Sequence, residues 1–152
     1  MPEVSIDIIS EGNAGEALDR LKNALNGHKK VKAGFPRSKA SQSAINKAVW
    51  GEFGNSRGIP ERPFFRNALK NNQGKYDQFM QRAAKRIATG QNHIENELEL
   101  LGHMVVGDVQ VSITDLSEPP NHPSTIKRKG SSNPLIDTGH MRQSATHELT
   151  DD

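Results

Sequence analysis

Five residues, Leu135-Ile136-Asp137-Thr138-Gly139, have the clearest potential for chemistry. A short apolar run followed by Asp-Thr-Gly is how the catalytic loop of a retroviral-type aspartic protease reads. That chemistry needs two carboxylates sharing one site, so that one keeps its proton while the other activates water. A small subunit can supply one Asp and dimerise. The elements predicted upstream of Asp137 are mainly helical, however, whereas that protease fold is almost all β. The sequence therefore favours a structural role. Asp137 or Thr138 is expected as a helix cap or turn residue, Gly139 as the turn glycine, and Leu135 and Ile136 as anchors of the loop on the core.

Other reactive residue types form no pattern. His93 and His103 lie ten apart, His140 and His147 share a face only loosely, and no HExxH is present. The stretch GNSRG lacks the lysine and the order of a phosphate-binding loop. The absence of cysteine excludes disulfides, a thiolate metal site and a cysteine nucleophile. No enzyme, cofactor or metal is expected. Lys127, Arg128 and Lys129 form a short basic cluster, and Lys29, Lys30, Lys32, Arg37 and Lys39 a looser one. These suffice for phosphate contacts. With one Trp, one Tyr and no base-reading motif, they predict at most unspecific contact with DNA.

The elements that must position these residues follow from apolar spacing. In 152 residues, 33% hydrophobic content with 13 Gly and 8 Pro predicts one domain, residues 1–152, with a lean core and long surface loops. Val4, Ile6 and Ile8 alternate as a strand. Asn13 can cap a helix carrying Ala14, Ala17, Leu18, Leu21 and Leu25. Val31, Ala33 and Phe35 mark a second strand with a basic outer face. Ala44, Ile45, Ala48 and Val49 lie on a short helix that leads into Trp50 and Phe53. After a Gly/Pro loop, Pro63 suits the first residue of a helix with Phe64, Phe65, Ala68 and Leu69. A break is expected at residues 72–74, followed by an amphipathic helix through Tyr76, Phe79, Met80, Ala83 and Ile87. Three-and-four spacing from Ile94 to Leu116 predicts one long helix from Gln91. Four prolines make residues 118–134 a long loop. Ala145, His147 and Leu149 alternate weakly and can return to the sheet as a strand. The expected fold class is α+β, a small sheet of three or more strands packed by an N-terminal helix and several longer helices. No secretory signal is visible, and no apolar stretch approaches the roughly 18 residues of a membrane span. A soluble chain without a membrane partner is expected.

Charge is unevenly distributed around a net +2. Residues 57–90 hold eight basic residues and two acids, and residues 91–118 hold six acids and no Lys or Arg. These bands are either solvated faces or the unlike sides of head-to-tail contacts that close into a ring. In the second case Arg57, Arg62 and Arg66 pair with Glu95, Glu97 and Glu99 of an adjacent copy. Phe64 is then either an apolar anchor presented by the loop or a core residue.

Two stretches carry a family resemblance. One is AVWGEFGNSRGIPERPFFRNAL, a helix running into Glu-Phe-Gly and a loop ending in Arg-Pro-Phe. The other is PSTIKRKGSSNPLIDTGHMRQSATHEL, a polar loop closed by Leu-Ile-Asp-Thr-Gly and then Met-Arg-x-Ser. In this order, from about Ala44 to Leu149, the pair resembles the neck and tail-completion (head–tail joining) proteins of tailed bacteriophages. The resemblance implies a virion structural protein without enzymatic activity, assembled in the host cytoplasm. It further implies a ring, hexameric or dodecameric, between the portal vertex and the tail, touching adjacent neck, connector or tail proteins. Genomic DNA would pass through its lumen without sequence-specific binding. A tail-terminator ring and a non-specific nucleic-acid-binding accessory protein are the alternatives.

Overall fold

Helical spacing dominates the chain, and the architecture follows it. A computed structural model describes residues 14–151. In order these form α1 (Ala14–Asn26), β1 (Lys29–Gly34), α2 (Gln42–Phe53), α3 (Phe64–Ala88), α4 (Ile94–Asp115), α5 (Pro123–Lys129), α6 (His140–Gln143) and β2 (Thr146–Asp151).

The long helices α3 and α4 form an antiparallel hairpin. Phe64, Ala68, Phe79, Ala83 and Ile87 of α3 are buried, as are Leu98, Val109 and Ile113 of α4. Polar links tie the helices together along their length. Lys75 Nζ meets Asp108 Oδ1 at 2.6 Å, and Tyr76 donates to Asp108 Oδ2 at 2.8 Å. Burial, and then that bond, pushes the Tyr76 phenol well above its ordinary pKa. Near the turn, Arg86 grips Glu97. The expected break at residues 72–74 does not occur. Asn72 Nδ2 donates to the Ala68 carbonyl at 2.8 Å within the helix. A helical glycine costs only about 1 kcal/mol against alanine. Packing of the apolar stripe on α4 outweighs that.

The sheet corrects the expected fold. Among the described residues it has two strands, not three or more, paired antiparallel from Lys29↔Asp151 to Gly34↔Thr146. The strand expected at Val4–Ile8 lies outside the described residues. Among the described residues, most of the other apolar positions recur at three and four and are taken up by helices. The sheet packs on α4, and α1 packs on α3. The return of the tail as β2 is as the alternation of Ala145, His147 and Leu149 predicts.

Residues 118–134 contain a helix that proline content concealed. Pro123 occupies the first turn of α5, where its missing N–H costs nothing, and Gly130 ends the helix at φ 71°. The core joins Ala48, Phe64, Ala68, Val109, Ile113, Met141 and Ala145, with Phe35, Phe65, Leu116, Leu135 and Ile136 packed around them. Ala48 of α2 and Ala68 of α3 are the small members of this core and leave room for Phe64, Val109 and Ile113. Phe64 supplies the largest buried side chain, with burial worth about 1.5–3 kcal/mol. This core lies where α2 and α6 meet the first turns of α3 and the last turns of α4, so both resemblance stretches are anchored in it.

Candidate assembly surface

The Glu-Phe-Gly turn works through Glu52. Pro63 gives the start of α3 no side-chain cap. The buried Glu52 carboxylate replaces one, accepting from the amides of Phe65 (2.8 Å) and Arg66 (3.2 Å). An anion here also meets the positive end of the helix dipole. Arg66 closes the arrangement, with Nε on Glu52 Oε1 at 2.7 Å and further bonds to the Glu52 carbonyl and the Glu61 carboxylate. The loop between the helices folds back on itself at Gly54. Its φ of 67° favours glycine, and an added Cβ would stand 2.7 Å from the Ile59 carbonyl oxygen.

Arg62 fastens this loop to the second resemblance stretch. Only 4% exposed, it donates from Nε to the Pro119 carbonyl (2.8 Å) and from Nη2 to the Pro120 carbonyl and Asn121 Oδ1 (both 3.2 Å). Burial lowers its pKa, yet a guanidinium remains charged in a protein. Asn133 holds the far end of the segment. It donates to the Thr114 carbonyl at 2.7 Å and accepts from the amides of Leu135 and Ile136 at 3.0 Å. Lys129 Nζ donates to the Asn133 carbonyl at 2.9 Å. Residues 118–134 are thus docked on their own domain.

Between these parts lies an open cleft of about 740 Å³, walled by Lys47 and Trp50 of α2, Arg62, Arg128 and Lys129, and the Asp137–His140 turn. Its charge is predominantly basic. Burial pushes the Lys129 ammonium below its ordinary pKa, and Asp137 acts in the opposite direction. Asp137 is the one carboxylate among the described residues of the lining. Asp137 is exposed and caps nothing. The α6 amide of His140 faces Thr138 Oγ1 at 3.4 Å, and Gly139 makes the turn at φ 78°. Asp137→Ala is therefore expected to shift stability by less than about 0.5 kcal/mol, which a thermal melt against wild type measures.

The residues chosen from sequence divide into two groups. Arg57, Glu95, Lys127 and Arg128 are exposed. Arg62 and Phe64 are buried, Arg66 is engaged by Glu52, and Glu97 is buried against Arg86. Glu99 turns to β2, where its Oε2 lies 2.6 Å from His147 Nε2. The charge bands therefore do not face outward as a block, because Lys75 and Arg86 of α3 pair with Asp108 and Glu97 of α4. The clearest outward feature escaped the sequence reading. Val49, Trp50 and Phe53 of α2 are all exposed, Phe53 at 64%. The sequence held a signal for this, since Ala44, Ala48 and Gly51 form the small inner face of α2 and leave its bulky residues opposite. The Arg66 guanidinium lies 5.3 Å from the Phe53 ring centroid, a cation–π arrangement.

The chain matches no protein-family model, no curated protein and no solved structure.

Proposed function

We propose that the chain is a structural subunit of the neck of a tailed bacteriophage, joining head to tail as a ring of identical copies. One observation carries this reading. The two stretches that bear the resemblance, distant in sequence, wall the same cleft: Trp50 and Arg62 come from the first, and Asp137 and His140 from the second. Val49 and Phe53, also exposed, lie on the same helix as Trp50. Aromatic and arginine-rich surfaces of this kind are enriched in protein interfaces. The function needs no catalytic group. Apolar contacts through α2 would hold copies together, while exposed Arg57, Lys127 and Arg128 guide encounter, since rim charges contribute more to association rate than to affinity.

The double variant Trp50→Ser, Phe53→Ser tests the reading. Both side chains are exposed, so far-UV circular dichroism and thermal stability are expected to stay near wild type. Light scattering and electron microscopy of the purified wild type are expected to give a closed ring without DNA, and the variant to stay monomeric. In particles, the density is expected on the portal–tail axis. Salt-steep DNA binding by a protein with no defined oligomer would favour the nucleic-acid-binding alternative.

A further inference from the structure

We propose that Glu99, His103 and His147 form a binding site for a divalent transition-metal ion of the zinc type, which ties β2 to α4. Glu99 and His103 are four residues apart on α4 and so lie one above the other on the face that meets the sheet. His147 projects from β2 at the position opposite Ala33. The carboxylate oxygen and the two ring nitrogens lie within 4.8 Å of one another. Around a tetrahedral zinc with bonds of about 2.0–2.1 Å, donor atoms stand about 3.3 Å apart, so side-chain rotation of the two α4 ligands brings the set into range.

The surroundings are shaped for His147. An added Cβ at Gly102 would stand 2.4 Å from its Cδ2, so the helix is bare where the ring lies against it. The rings of His103 and His147 have centroids 4.4 Å apart at 67°. The strand is held from the other side, where Lys39 Nζ donates to the His147 carbonyl at 2.7 Å. His147 is buried at 7% exposure, whereas His103 is exposed and the Glu99 side chain is 47% exposed. One ligand is thus fixed and two are reachable from solvent, which gives an ion an entry path and leaves its fourth position to water. Two imidazoles and one carboxylate suit zinc and its neighbours rather than calcium or magnesium, which prefer all-oxygen shells. The ion would take the place of the hydrogen bond between His147 Nε2 and Glu99 Oε2, with His147 binding as the neutral imidazole through Nε2 and its ring proton on Nδ1.

The test uses the full chain, stripped with a chelator and titrated with Co²⁺ and then Zn²⁺. Expected are one Co²⁺ per chain with the visible absorption of a four-coordinate site, its displacement by Zn²⁺, and a higher melting temperature with Zn²⁺. His103→Ala and Glu99→Gln should each weaken Co²⁺ binding about tenfold or more, while His140→Ala leaves it unchanged. Glu99→Gln keeps a hydrogen-bond partner for His147, so it remains informative if His103→Ala fails to fold. Absence of Co²⁺ binding at micromolar metal, or equal binding by wild type and both ligand variants, overturns the proposal.

Discussion

Glu97→Lys is expected to leave the chain largely unfolded. The Glu97 side chain is 2% exposed at the turn of the α3–α4 hairpin. Its two oxygens accept from Arg86 Nε and Nη2, both at 2.6 Å, and Oε1 also accepts from Asn92 Nδ2 at 2.8 Å. Removing one partner of a buried ion pair costs up to about 3–5 kcal/mol where the remaining charge is desolvated. Arg86 is 33% exposed, so the larger cost here is burying a lysine where the side chain is 2% exposed. Domains of this kind have about 5–15 kcal/mol in total. Lysine goes further than deletion and places a second cation against Arg86. Glu95→Lys, two residues away on the exposed side of the helix, is expected to lose only its interaction with the helix dipole, about 0.3–1 kcal/mol. Urea denaturation followed by circular dichroism separates the two. A wild-type midpoint for Glu97→Lys would mean that the hairpin is held by its apolar stripe alone.

The same pair sets a pH dependence of known sign. The Arg86 hydrogen bond, chiefly, holds the Glu97 carboxyl below its ordinary pKa despite the opposing effect of burial. Between the folded pKa and the unfolded value near about 4.3, the unfolded chain binds the proton more readily. The stabilisation is therefore complete above the unfolded pKa and is lost as pH falls through the folded one. Arg86 keeps its charge throughout, so no matching loss occurs on the alkaline side of neutrality.

Glu97 also illustrates what sequence carries and what it does not. Ile94, Glu97, Leu98 and Leu101 fall at helical spacing, so Glu97 lies on the apolar stripe while Glu95 does not. Grouping the three glutamates as one acidic band ignored that periodicity. The long helix, the first turn at Pro63 and the returning strand were all readable, because each rests on local spacing or on a residue with fixed backbone habits. The continuity of α3 through residues 72–74 was not, since local breakers are outvoted there by packing on α4. Nor was the third strand's absence among the described residues. Glu99, His103 and His147 meet only through the placement of β2 on α4, which leaves no trace in residue spacing. Their neighbour Gly102 gives the His147 ring the room it needs against the helix.

Arg62→Met is expected to cost about 1.5–3 kcal/mol, the range for hydrogen bonds to a charged group, and to release residues 118–134. Methionine roughly fills the space of the arginine stem but leaves the Pro119 and Pro120 carbonyls and Asn121 without the donor that joins them. Arg62→Lys should not restore the wall of the cleft, because one ammonium on a flexible stem cannot reproduce the planar fork. Loosening the segment leaves the exposed Lys127 and Arg128 in a backbone that opens more often, and local opening governs cleavage. Limited trypsin digestion should therefore cut between residues 118 and 134 faster in both variants than in wild type. Mass spectrometry of the fragments locates the cut. Equal cleavage rates in all three proteins would show that Asn133 and Lys129 suffice to hold the segment. If Arg62 does hold it, ring formation should fall in both variants even where circular dichroism shows a folded chain, because Trp50 and the Asp137–His140 turn would then lose the wall that fixes the cleft between them.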